Sequence, residues 1–156
     1  MATAAGLCFA SLGSDTGGSI RFPSAANGVT GLKPTWGRVS RYGVFALAES
    51  LDHIGPMTRS AADAAAVLGV IAGADPNDPT AVQQPVPNYL AGLPRGIRGV
   101  RIGVDRAFNT TGVDKDMVEV VDDAIAVLSD LGADIREAKF PSPDRIVRDW
   151  LPLCAV

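Results

Sequence analysis

GSDTGGSIRFP, Gly13 to Pro23, is the stretch on which the reading of this chain turns. Between Gly13 and Ser19, three glycines (Gly13, Gly17, Gly18) and the hydroxyl residues Ser14, Thr16 and Ser19 surround one aspartate, Asp15. The run Leu7 to Leu12 leads in and is expected to be a strand. Gly17 and Gly18 tolerate positive φ and place no side chain between backbone and ligand. The amides of Thr16, Gly17, Gly18 and Ser19 can then converge on one point, which is what an oxyanion hole requires. Ser19 ends that nest, where a hydroxyl can attack the carbonyl whose oxygen the nest holds.

By themselves these residues leave four readings open. One is a plain glycine-rich turn. A second is a phosphate loop, since Gly13 and Gly18 have Walker-A spacing, although Ser19 occupies the place of the required lysine. A third takes Asp15-Thr16-Gly17 as an aspartic-protease triplet. That chemistry needs two such aspartates, hence a homodimer here, and Gly13-Ser14 stand where a hydrophobic pair belongs. The fourth is a nucleophilic serine.

Working outward, residues 1–59 are rich in Gly, Ser and Pro, with turns expected at Lys33-Pro34, Trp36-Gly37 and Gly55-Pro56. The opening MATAAGLCFASLG lacks the basic start of a signal peptide and reads as a helix end running into a buried strand. A helix is expected over 60–73. Ser60 caps it with Asp63 as acidic partner, Ala64, Val67, Leu68 and Ile71 form its apolar face, and Gly73 ends it. Residues 74–98 hold Pro76, Pro79, Pro85, Pro87 and Pro94 and read as a long surface connection. Beyond it, Gly99–Asp105 and Ala133–Ala138 read as strands. Between them lies a helix capped by Asp114, with Met117, Val121, Ala124, Ile125, Leu128 and Leu131 on one face and Gly132 at its end. Another helix is expected after Pro143. This alternation implies an α/β layer. The chain stops at LPLCAV inside an apolar element, so a piece of a longer domain is expected.

The chain has 156 residues, 47% hydrophobic and 20% charged, an ordinary globular balance with material for one core. A net charge of −3 gives no footprint for nucleic acid or an anionic membrane, and no run of about 18 apolar residues suggests a membrane span. Trp36 and Tyr42 interleave with Arg38 and Arg41, which reads as aromatic packing beside solvated arginines. Cys8 and Cys154 have no metal-ligand spacing and are expected to be buried thiols in a reducing, cytoplasmic setting.

Two longer stretches, GSDTGGSIRFPSAANGVTGLKPTWGRVSRYGV and SLDHIGPMTRSAADAAAVLGVIAGADPNDPT, resemble the amidase-signature family, nearly without a break from Ala5 to about Thr80 and weakly beyond. The resemblance implies an α/β/α fold, a mixed sheet covered by helices, only partly represented here. Its parts would be the nucleophile loop and strands (1–59), the helix (60–73), the connection (74–98) and an αβ part (99–156). It implies a hydrolase of linear amides with a Ser–cis-Ser–Lys triad, in which Ser19 matches the acyl-enzyme nucleophile. Thr16, Gly17, Gly18 and Ser19 match the oxyanion loop, and Asp15 and Arg21 match charged positions that order the loop or lie near substrate. No metal or organic cofactor is implied. The ligand would be a small-molecule amide, and the protein partner either a second copy in a homodimer or, if the chain is a glutaminase subunit, the other subunits of a tRNA-dependent amidotransferase.

The triad lysine and cis-serine have no match. Only eighteen residues precede Ser19 and none is lysine, and neither Ser11 nor Ser14 lies in a GGSSGG-like context. Lys33, in GLKPT, matches a structural position. His53, the only histidine, reads as a loop residue without catalytic duty. A serine without an adjacent base is a weak nucleophile, so these residues alone are expected to be nearly inactive or non-catalytic.

Overall fold

The computed structural model describes residues 1–154, which form two units: Met1–Leu93 together with the chain from Asp149, and Pro94–Arg148. The first holds an antiparallel three-stranded sheet of order β1-β3-β2, from Ala10–Asp15 (β1), Thr30–Gly31 (β2) and His53–Thr58 (β3). In register, Ala10 lies opposite Thr58 and Asp15 opposite His53.

The lead-in strand starts three residues later than the sequence suggests. A helical turn, with the Ala5 amide donating to the Met1 carbonyl at 2.9 Å, precedes it. Nor is the lead-in buried: Leu7 and Phe9, which precede the strand, are 81% and 88% exposed among the described residues. Cys8 and Cys154 are half-buried rather than buried.

Gly55-Pro56, expected as a turn, lies inside β3. The Leu32 amide donates to the Pro56 carbonyl at 3.0 Å, so the edge of Pro56 that lacks an N–H faces the end of the two-residue β2 and not β1. Gly55 is a close approach: a Cβ there would lie 2.1 Å from the Leu32 carbonyl oxygen.

Helix α2 spans Ala61–Ile71 and buries Ala64 and Leu68 on the first unit's sheet, leaving Val67 and Ile71 half-buried. Ser60 caps it, accepting the Asp63 amide at 3.1 Å and donating to the Asp63 carboxylate at 2.8 Å. Replacing Ser60 by alanine is therefore expected to cost about 1 kcal/mol, read as a lower thermal midpoint.

The connection after α2 is not a free arm. It contains the short helix α3, Tyr89–Gly92, and a 3-10 turn, Leu93–Arg95. Arg38 donates to the Tyr89 hydroxyl (2.9 Å) and to the carbonyls of Gln84 and Pro85 (3.2 and 2.8 Å). Arg41 stacks 4.7 Å over Trp36 and donates to the Glu49 carbonyl and to Thr80. The two arginines are clamps for the connection, not solvated charges.

In the second unit, β4 (Arg101–Val104) and β5 (Asp134–Glu137) pair in parallel, which requires a crossover between them. Helix α5, Lys115–Asp130, supplies it, capped by Asp114 on the Asp116 amide. Both strands are shorter than expected from the sequence. A helix missed there, α4 (Arg106–Thr110), begins where Asp105 accepts the Phe108 amide at 3.0 Å; the same carboxylate takes the Phe140 amide at 2.6 Å. The last described helix, α6, is Pro143–Cys154.

Candidate active site

Strand β1 delivers Asp15 to the start of the glycine-rich turn, and α1 (Arg21–Ala26) begins at its end. Asp15 is fully buried, and a buried carboxylate must be compensated. Its Oδ2 accepts the amides of Ile20 (3.2 Å) and Arg21 (3.3 Å) and Nε of Arg21 (3.0 Å), while Oδ1 accepts Nη2 of Arg21 (3.0 Å). One carboxylate thus folds residues 15–21 back on themselves.

Ile20 is the apolar counterpart of that clamp. It is fully buried, and Cβ atoms placed on Gly13 and Gly55 would come within 3.2 and 3.1 Å of its side chain. The two glycines make room for Ile20, and the chain alternation leaves Ser19 exposed at the surface. Gly18, at φ +150°, would bring a Cβ to 2.2 Å from the Phe22 ring, so the turn admits only glycine there. A Cβ on Gly17 would lie 2.9 Å from the Trp150 indole. Among the described residues no group accepts from the amides of Gly17, Gly18 and Ser19.

Asp52 is a participant that the sequence reading passed over. It is 4% exposed, accepts the Thr16 hydroxyl on one oxygen, and takes the amides of Leu47 (2.8 Å) and Ala48 (3.1 Å) on the other. Its only local signal was an aspartate between Leu51 and the strand-like run that follows, HIGPMT. It also lines a pocket of about 260 Å³ with Arg41, Tyr42, Glu49, Asp78 and Thr80.

His53 has both ring nitrogens engaged. The Leu51 carbonyl can only accept, so Nδ1 carries the proton it donates there (2.6 Å), and Nε2 accepts from the Lys33 ammonium at 3.1 Å. Ser11 pairs with the Thr3 hydroxyl at 3.0 Å, and Ser14 is exposed. Among the described residues no cluster of His, Cys, Asp or Glu is placed to hold a metal, and no helix is long and apolar enough to cross a membrane.

Burial pushes the Asp15 carboxyl upward, but the hydrogen bonds from Arg21 and the Ile20 amide outweigh it and hold the group below its usual 3.8. Asp75 is held low by the Ser40 hydroxyl, Asp78 by the Arg41 amide and Asp105 by the Phe140 amide. A folded value below the unfolded one stabilises the protein above the unfolded value and is lost as pH falls through the folded one. These four aspartates are therefore expected to lower the thermal midpoint only below about pH 4, as melting followed against pH would record.

The family described as Amidase matches residues 1–156, and the chain belongs to it. A glutamyl-tRNA(Gln) amidotransferase subunit from Geobacter sp. (strain M21) is 51% identical over 149 residues, 96% of this chain and 31% of that protein. The protein described as putative amidase AmiD, from Mycobacterium tuberculosis (strain ATCC 25618 / H37Rv), is 58% identical over 132 residues, 85% of this chain and 27% of its own length. Among solved structures, the corresponding glutamyl-tRNA(Gln) amidotransferase subunit from Thermotoga maritima superposes with a TM-score of 0.92 at 38% identity, over 99% of this chain and 34% of that one. Native peptide amidase from Stenotrophomonas maltophilia gives 0.85 at 40% identity, over 98% and 32%. The chain thus has the mixed α/β amidase-signature fold and spans about a third of the length of the relatives it matches.

Proposed function

We propose that this chain carries the nucleophile loop of a serine amide hydrolase. The observation that carries the reading is the turn itself: Asp15 bends it, Ser19 is exposed at its end, and the amides of Gly17, Gly18 and Ser19 have no partner among the described residues. Ser19 Oγ attacks the carboxamide carbonyl and gives its proton to a base. The carbonyl oxygen takes the negative charge and is held by the amides of the Thr16–Ser19 loop. As the tetrahedral intermediate collapses, the base hands the Ser19 proton to the nitrogen, the C–N bond breaks and neutral ammonia or amine leaves; water then cleaves the Ser19 ester to carboxylate and frees the Ser19 hydroxyl.

The base and the second serine come, on this reading, from residues outside 1–156, because no lysine precedes Ser19 and both nitrogens of His53 are engaged. Residues 1–156 alone are then close to inactive. The free thiols of Cys8 and Cys154 suit a reducing compartment such as the cytoplasm. A second reading, the glutaminase subunit of a tRNA-dependent amidotransferase, is favoured by the Geobacter and Thermotoga relatives; it requires partner subunits, whereas a simple amidase does not.

Fluorophosphonate labelling followed by peptide mass spectrometry tests the first reading. It compares residues 1–156 with the same chain joined to the upstream residues of AmiD. Labelling at Ser19 in the joined chain only is the expected result. No label at Ser19 in either would remove the nucleophile assignment, and label in both would place the base within 1–156. Glutamine hydrolysis that emerges only with added amidotransferase subunits would favour the second reading.

A further inference from the structure

We propose that Asp52 is a positioning residue that holds the nucleophile loop in its working shape through the hydroxyl of Thr16; this rests on the reading of Ser19 as nucleophile. The ladder between β1 and β3 ends at the pair Asp15 and His53, so residues 16 and 52 are the first beyond it on each strand. Thr16 and Asp52 meet there, hydroxyl to carboxylate.

Asp52 is itself fixed. An ionised carboxylate only accepts hydrogen bonds, and this one is buried with its second oxygen taken by the Leu47 and Ala48 amides. It belongs to the 47–52 turn, and the only hydrogen bond it makes to the nucleophile loop among the described residues is the one from Thr16. Asp15 secures the other end of the loop at Ile20 and Arg21. Gly17, Gly18 and Ser19 are left between the two anchors, and their amides are the ones without partners among the described residues. Two consecutive glycines have the largest backbone freedom of any pair. Released at Thr16, their peptide planes can turn away from the point on which the donors must converge, and a misplacement of about 1 Å at a reacting centre costs about a hundredfold in rate.

Thr16→Val removes the donor and keeps the shape; Thr16→Ser keeps the donor. In residues 1–156, peptide-resolved hydrogen exchange is expected to speed up over 13–23 in Thr16→Val, to stay unchanged over the α2 helix, and to return to the original rate in Thr16→Ser. In the joined chain, the maximal rate of Ser19 labelling is expected to fall about a hundredfold in Thr16→Val with the half-saturating probe concentration unchanged. Asp52→Asn keeps an oxygen for the Leu47 and Ala48 amides and turns an N–H to the Thr16 hydroxyl, which accepts as well as donates, so it is expected to leave both readouts close to those of the unaltered chain. Exchange and labelling in Thr16→Val equal to those of the unaltered chain would overturn the proposal. So would equal acceleration over the loop and α2, which is general destabilisation. An exchange change confined to 13–23 without any Ser19 labelling would support the grip of Asp52 and remove the catalytic reading.

Discussion

Replacing Ser19 by alanine is expected to abolish fluorophosphonate labelling of the joined chain and to lower its amide hydrolysis by about 10⁴-fold or more. The loss is chemical because the fold does not use the hydroxyl. Ser19 is exposed, and among the described residues its side chain makes no hydrogen bond. Its removal leaves no buried group unpaired, so the thermal midpoint should move by no more than about 0.5 kcal/mol equivalent. The double variant Ser19→Ala with Thr16→Val separates chemistry from positioning. If Thr16 acts only by shaping the loop that presents Ser19, adding Thr16→Val to Ser19→Ala should cost almost nothing more in rate, as groups acting as a unit are not additive. Hydrolysis that survives Ser19→Ala at the original rate would assign the nucleophile elsewhere.

What the sequence made legible, and what it hid, divides by the distance over which the chain acts. Ser60 with Asp63, and Asp114 with the Asp116 amide, are bonds made within one turn, and their residue types announce them. The dipeptide Gly55-Pro56 has the composition of a turn, yet β3 runs through it. What decides the matter is that Pro56 meets Leu12 on one side and the end of β2 on the other, and no local pattern states this. The run before Asp15 looked buried because its residues are apolar, but burial depends on a neighbour, and among the described residues Leu7 and Phe9 stay exposed and β1 pairs only with β3. Arg38, Arg41 and Asp52 are the clearest losses. Each has a partner 36 to 51 positions away along the chain that no local pattern announces, so each reads locally as an ordinary surface charge. The glycine-rich loop was legible as a special backbone. That Ile20 must fit against Gly13 and Gly55 for the loop to keep its shape was not.

Asp15→Ala is expected to be the most damaging single change to stability in the loop, about 3 kcal/mol, which for a chain of this size lowers the thermal midpoint by about 6–12 °C. The carboxylate is wholly buried and collects four donors, two of them backbone amides that no side chain nearby can satisfy in its place. Each buried donor left unpaired costs about 1–3 kcal/mol. Arg21 is the weaker half of the pair. Its side chain is 53% exposed, so in Asp15→Ala the guanidinium turns to water, and in Arg21→Ala the Asp15 carboxylate keeps the Ile20 and Arg21 amides. Arg21→Ala should therefore cost about 1 kcal/mol, within the range of a partly exposed ion pair. The two variants, melted side by side, weigh amide acceptance against charge pairing as the force that bends the turn. Equal losses would mean that the ion pair holds residues 15–21, and salt would then weaken the loop. A loss several times larger for Asp15→Ala would mean that the backbone bonds hold it, and the loop would keep its shape at high ionic strength.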